Sequence, residues 1–324
     1  MGIIDHIMQR PELVEQPPVL LDIGAAARLN PKWKSFARYS VCIAFDADAR
    51  QMGYIDRRRG RYRKLYVYRA IVSDQAGPKK DFFLTASPQC SSLLEPDRES
   101  LSAWLCADML KVNRVVSLDS TRLEAVLNEL GLQWVDWFKT DSQGTDLRLF
   151  NSLNLRRRQR TLATEFEPGI MACYIGEDKL HQVMAAMDDA DFMMSQLAVR
   201  GPQRISPLLA DRYFRSPWRL ILGGLLRSAP GWAGVTYLNR LTREGLFGPR
   251  EHLLGWVFAT VERQHGLALE IVQRGRDRFG DDIFDRLAHH SVRRIKANWW
   301  RAAPFVARQI LRSIIQRRRI TRAR

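Results

Sequence analysis

Residues 133–168, QWVDWFKTDSQGTDLRLFNSLNLRRRQRTLATEFEP, constrain the fold more than any other part of the chain. Trp134-Val135-Asp136-Trp137-Phe138-Lys139 is short, aromatic and β-branched, which predicts a buried strand. Asp141-Ser142-Gln143-Gly144 is a turn-forming cluster. Leu147, Leu149, Phe150 and Leu153 then fall at helical spacing, and Thr161-Leu162-Ala163-Thr164 reads as the next strand, closing on Glu165. A strand that brings a carboxylate and a glycine to its carboxyl end, ahead of a helix, is where open α/β sheets place their ligands. An incidental acidic turn fits the same residues, so the segments upstream have to decide.

Upstream, Val19-Leu20-Leu21-Asp22-Ile23 is a continuous apolar run that leads into Gly24-Ala25-Ala26-Ala27. That is the expected first strand and loop of a nucleotide-type α/β domain. Small residues such as Gly24 and Ala25 let the backbone approach a ligand closely, with a helix N-terminus or free amides nearby. Gly24 is the only glycine of the loop, and Arg28 stands where a second is common. A second strand, Tyr39-Ser40-Val41-Cys42-Ile43-Ala44-Phe45, ends on Asp46, which lies 22 positions after Gly24. An acid at about that distance can accept hydrogen bonds from a ribose diol; a solvent-facing turn acid is the plainer alternative. Residues 65–72 predict a third strand, 81–85 and 112–119 two more, and 121–130 a helix with Ser120 as its cap. Residues 179–187 predict a further helix and 192–197 a last strand. Strand and helix thus alternate over 17–205, the pattern of a doubly wound sheet.

The run Lys139-Thr140-Asp141-Ser142-Gln143-Gly144-Thr145-Asp146-Leu147 resembles the Lys-x-Asp-x-Glu-Gly-x-Glu-Leu signature of the FkbM family of S-adenosylmethionine (SAM)-dependent methyltransferases. Gln143 and Asp146 stand where the family has glutamates. Asp22-Ile23-Gly24 is similar to motif I of class I methyltransferases, and Asp46 replaces the family's glutamate after the second strand. Ser91-Ser92-Leu93 and Leu118-Asp119 follow in the family's order. The resemblance implies a class I methyltransferase domain, a Rossmann-like doubly wound α/β sheet, that uses SAM to methylate a hydroxyl of a sugar, glycolipid or secondary metabolite. It implies donor contacts from Asp22, Gly24, Ala25, Asp46, Ile71 (near the adenine), Asp119 and Asp141.

Methyl transfer from a sulfonium is an in-line displacement, so positioning dominates, and an alcohol acceptor gains from a base as its proton becomes acidic. Asp141 is the candidate base. Lys139, two residues earlier on the same strand face, is expected to keep that carboxylate ionised. A structural ion pair is the alternative reading of these two residues. Glu165 is expected as a second acid on the same crevice. Cys90 has no histidine nearby in sequence to activate it and reads as a spectator.

Charge and composition bound the partners. The formal charge of +16 and pI near 10.2 call for an anionic partner: nucleic acid, an acidic membrane surface or a phosphorylated substrate. The four cysteines show no C-x-x-C spacing, which suits a reducing compartment. No metal constellation is read, since His289 and His290 are adjacent and point apart on a helix. The start of the chain lacks a signal-peptide pattern, His6 stands where a myristoylation site needs Ser or Thr, and no apolar run is long enough to span a bilayer. A cytoplasmic location is expected, or one peripheral to the inner face of a membrane.

Three regions follow: a lead-in over 1–16, the SAM-binding domain over 17–205, and a mostly helical, Arg- and Trp-rich extension over 206–324 in which strands stop. Val292, Ile295, Trp299, Ala303, Val306, Ile310 and Ile314 form a helical stripe with arginines on the other faces. That stripe packs on the sheet domain, lies on an anionic membrane or meets nucleic acid, the last favoured least. The enzyme reading competes with one in which a weakened methyltransferase fold serves only to bind an anionic membrane or nucleic-acid surface.

Overall fold

The computed structural model describes residues 2–25, 30–48 and 59–302, with Pro304, Val306 and Arg308. Ala26, Ala27, Arg28 and Leu29 of the first loop, Arg57 and Arg58 of a basic run, and Ala303, Ile310 and Ile314 of the terminal stripe lie outside the described residues.

A seven-stranded sheet organises the chain. Its strands are β1 (Val19–Ile23), β2 (Val41–Phe45), β3 (Lys64–Tyr68), β7 (Trp137–Thr140), β8 (Ala163–Phe166), β9 (Phe192–Arg200) and β10 (Trp232–Asn239), in the order β3-β2-β1-β7-β8-β10-β9. Neighbours from β3 to β8 are parallel, and β10 runs antiparallel to both β8 and β9. The order reverses between β1 and β7, and such a switch point opens a crevice at the carboxyl ends of the strands. The expected α/β class is therefore present, and the mostly parallel sheet is compatible with a Rossmann-like fold. A smaller sheet, with β4 (Ile71–Val72), β5 (Lys79–Thr85) and β6 (Val112–Thr121) in the order β4-β6-β5, contributes the other wall of that crevice.

Strand parity distributes the side chains. Leu20, Trp137, Ala163 and Leu238 are in register across four strands and join one core cluster. Their alternating neighbours, such as Leu21, Phe138 and Tyr237, join the other. The first face is covered by the helices Pro249–Val261, His265–Phe279 and Ile283–Ala297, the second by Leu123–Glu129, Asp146–Asn151 and Leu180–Asp188. Trp137 sits under Phe258, with ring centroids 4.8 Å apart, and under Trp33 at 6.1 Å.

Three expectations need correction. Residues 65–72 are not one strand: the chain breaks at Arg69-Ala70, and Ile71–Val72 leaves the edge of the large sheet to pair with β6. The helix after β6 begins at Leu123 with Arg122, not Ser120, at its N-cap, because β6 continues to Thr121. The boundary at 206 falls inside the sheet. Strands do not stop there, since β10 inserts between β8 and β9 and is buried nearly along its whole length. The three later helices are that sheet's cover, so the first half of the chain could not close its core alone.

The cover is fastened by a buried ion pair. The Arg250 guanidinium meets the Asp136 carboxylate with two hydrogen bonds of 2.9 and 2.7 Å, and Asp136 also accepts from the Val19 N–H at 2.8 Å. Removing one member of such a pair leaves the other charged and unpartnered. Arg250→Met is expected to lower unfolding stability by roughly 3–5 kcal/mol in urea titrations; a loss below about 1 kcal/mol would show that the pair does not hold the cover.

Candidate functional site

A cavity of about 580 Å³ lies between the carboxyl ends of β1, β2, β7 and β8 and the small sheet. Its size suits a small-molecule ligand. Gly24, Asp46, Ile71 and Asp141 line it, whereas Asp22, Ala25, Lys139 and Asp119 do not.

Gly24 and Asp141 mark the switch point. Gly24 has φ +73°, and a methyl group there would sit 2.3 Å from the Asp141 carbonyl oxygen. Only glycine permits that close passage of the two loops. The Asp141 N–H completes the junction by donating to Ile23 O at 3.0 Å. Among the described residues of this loop the amides are not free: both Gly24 and Ala25 N–H donate to Phe45 O, at 3.0 and 3.2 Å. Ala25 packs instead in a small apolar cluster with Ala44.

Asp22 and Lys139 are register partners on β1 and β7, and the ammonium bonds Asp22 at 2.6 Å. The expected direct pairing of Lys139 with Asp141 is therefore corrected: cross-strand register hands the lysine to Asp22, on the sheet face away from the cavity. Burial alone would push the Lys139 ammonium down. The charges of Asp22, Asp141 and Glu165 outweigh it and hold the group above the usual lysine range, so Lys139 is a fixed cation. Burial raises Asp22 despite its partner. Glu165 is next in the same row, accepts from Asn30 Nδ2 at 3.0 Å and faces Lys32 at 3.5 Å, so it too leaves the crevice. Asp119 is exposed on β6, paired in register with Lys79, and does not line the cavity.

Glu167 is the second acid that sequence reasoning missed. It lies just past the end of β8, lines the cavity and hydrogen-bonds Asp141. Burial, then the charge and hydrogen bond of Asp141, push its carboxyl up to about 8. The Glu165-Phe166-Glu167 alternation carried a signal, but β8 ends at Phe166, and only the fold shows which glutamate turns into the cavity. Asp141 also accepts from Gln143 Nε2 at 2.5 Å. Gln143 sits in the left-handed region at φ 56°, an uncommon conformation for a side-chain-bearing residue. It is held there by Ser92 Oγ, which donates to its carbonyl at 2.7 Å, and by the Tyr174 hydroxyl, 3.1 Å from its Oε1.

Asp146 anchors this loop from beneath. It accepts from Thr140 Oγ1 at 3.0 Å, Ser142 N at 2.9 Å and Glu167 N at 2.6 Å, tying the ends of β7 and β8 together. Asp46 is buried at the end of β2 and accepts from the Asp48 N–H at 2.8 Å. Burial pushes its carboxyl up to about 6. Cys90, Cys106 and Cys173 line the wall opposite, and burial raises each thiol, Cys173 to about 12. Such thiols are poor nucleophiles at neutral pH.

Among the described lining residues are five carboxylates, Asp46, Asp48, Asp141, Glu167 and Glu177, and one full cation, Arg200. A chain of formal charge +16 thus reserves an acidic cavity at its switch point. Among the described residues no cluster of His, Cys, Asp and Glu is placed to hold a metal ion. No family model matches the chain, and no curated protein or solved structure matches it.

Asp46 gives a stability test. Its folded pKa of about 6 exceeds the unfolded carboxylate value, so the folded state binds the extra proton between about pH 4 and 6. Its contribution therefore falls as pH rises through that window. Asp46→Asn keeps an acceptor for the Asp48 N–H and does not titrate. Relative to the native chain the variant should gain roughly 1–3 kcal/mol between pH 4 and pH 8 in urea unfolding; parallel profiles would contradict this origin of the shift.

Proposed function

We propose that this chain is a SAM-dependent O-methyltransferase that acts on a hydroxyl of a small-molecule or glycan acceptor: a sugar, a glycolipid or a secondary metabolite. The observation that carries the reading is the acidic cavity at the switch point of a mostly parallel sheet. A dinucleotide brings phosphates, which the Asp46 and Asp141 carboxylates would repel. A sulfonium donor brings positive charge, which they attract. The FkbM-like residues that line the cavity, Gly24, Asp46, Ile71 and Asp141, agree with it. The Rossmann-like sheet is compatible with a class I methyltransferase.

The residues present fit such a donor. Asp46 supplies acceptors for a ribose diol, and Ile71, Val72 and Phe82 supply an apolar wall for a purine. The bound donor supplies an activated methyl group on a cationic sulfur. The protein's part is to orient the acceptor hydroxyl and take its proton. Asp141, fixed by Gln143 and sharing a hydrogen bond with Glu167, is placed for both tasks. Lys139 is a positioning residue: it ties β1 to β7 below the junction and adds a positive field behind Asp141.

Calorimetry with SAM on the full chain should give binding that weakens at least tenfold in Asp46→Ala. Asp141→Asn should keep binding within a few-fold while transfer falls by about 10²–10⁴. Binding unchanged by Asp46→Ala, or transfer unchanged by Asp141→Asn, would refute the corresponding assignment. The acid pair also sets a pH profile. Losing the Glu167 proton makes the pair a stronger proton acceptor, so kcat/KM should rise through about pH 8 and lose that rise in Glu167→Gln. A rise that persists in the variant would point to another group.

A further inference from the structure

Between β9 and β10 the chain puts out two short helices, Pro207–Tyr213 and Trp218–Leu225, that bury almost nothing. In the first, Ala210 is the buried side chain, while Leu208 is 78% and Tyr213 67% exposed. In the second, Leu222 is buried, while Leu220, nearly opposite it on the helix, is 82% exposed and Trp218 59%. The second helix, WRLILGGL, has Arg219 as its one polar side chain. A helix apolar on nearly all sides is ordinarily buried in a core or in lipid. No residue of this one belongs to either large core cluster.

The charges around it are of one sign. Residues 204–227 hold five arginines and a single acid, Asp211, which pairs with Arg219 at 2.5 Å. Apolar tips that include a tryptophan and a tyrosine, set among arginines, complement the headgroup boundary of an anionic bilayer. A nucleic-acid surface would use the arginines but leave Leu208, Leu220 and Ile221 in water. Among the described residues no helix is long and apolar enough to cross a membrane, so the contact is peripheral.

We propose that the two helices between β9 and β10 are a membrane-docking surface that inserts Leu208, Trp218, Leu220 and Ile221 into a bilayer carrying anionic phospholipids. The surface is joined to the cavity wall. Gln203 O accepts from Leu105 N at 3.1 Å, Gln203 Nε2 donates to Gly223 O at 2.8 Å, and Arg204 lies 5.0 Å from the centre of the Trp104 ring. Cys106, Met109 and Leu110, which follow on that wall, line the cavity, and Met109 is itself exposed. Docking therefore brings the cavity close to the bilayer surface and selects an amphiphilic acceptor, a hydroxylated headgroup on a lipid anchor. This acceptor class rests on the methyltransferase reading, whereas the docking does not.

The test is sedimentation of the full chain with phosphatidylcholine vesicles with and without 30% phosphatidylglycerol, in the absence of SAM. Binding should need the anionic lipid and weaken as salt rises. The double variant Leu220→Ser/Ile221→Ser should bind at least tenfold more weakly, with an unchanged far-ultraviolet circular dichroism spectrum. Arg212→Glu/Arg215→Glu, which touches no core residue, should weaken binding by a similar factor. Ile295→Ser/Trp299→Ser, on the terminal arginine-rich stripe, should bind like the native chain. No sedimentation with anionic vesicles would overturn the proposal. So would binding lost only in the Ile295/Trp299 variant, or a dimer in analytical ultracentrifugation that the Leu220/Ile221 variant abolishes without any vesicle binding. Because SAM is absent throughout, failure here leaves the donor reading standing, and failure of SAM binding leaves the docking standing.

Discussion

A half-buried lysine governs the ligand end of this sheet. Lys139 lies in register between Asp22 and Glu165, and its ammonium ties β1 to β7 just below the point where the strand order reverses. Desolvating an ion pair is costly unless the geometry is close and further charges assist. Here three carboxylates surround one ammonium, and the lysine stays charged. The pairing has a consequence on the other side of the junction. With Lys139 committed to Asp22, Asp141 turns into the cavity and takes Gln143 and Glu167 as its partners.

The cavity's sign runs against that of the chain. The chain as a whole carries a formal charge of +16, while the crevice collects carboxylates. On the proposed reading this segregation separates two tasks, an outer surface that attracts an anionic partner and an interior that selects a ligand with positive charge. Burial raises the carboxyls of Asp46 and Glu167, and the charge of Asp141 adds to the second, so Glu167 keeps its proton at neutral pH and a cationic ligand would favour its release.

The parallel half of the sheet was legible because its strands are buried on both faces and read as continuous apolar runs between turn signals. Val19–Ile23, Val41–Phe45 and Trp137–Thr140 are such strands, and the positions of Gly24, Asp46 and Asp141 follow from where they end. Three features were not legible. The strand Trp232–Asn239 carries the β-branched and aromatic run Val235-Thr236-Tyr237, but it lies among arginine- and tryptophan-rich helices whose composition masks it. The partner of Lys139 depends on register between strands more than a hundred residues apart, which local pattern does not encode. The choice between Glu165 and Glu167 depends on a strand ending one residue earlier or later. Asp22 and Asp119 lie outside the cavity lining for a related reason: which face or position of a strand a side chain occupies is decided by pairing.

The central claim is that the acidic crevice at the β1/β7 switch point is a donor site for a SAM-type cofactor. A crystal structure of the chain grown with S-adenosylhomocysteine, the demethylated donor, tests it most directly. The account predicts ribose hydroxyls within hydrogen-bond distance of the Asp46 carboxylate and the thioether sulfur directed toward Asp141 and Glu167. A nucleoside bound elsewhere, or a crevice closed to the ligand in crystals that diffract well, would contradict it.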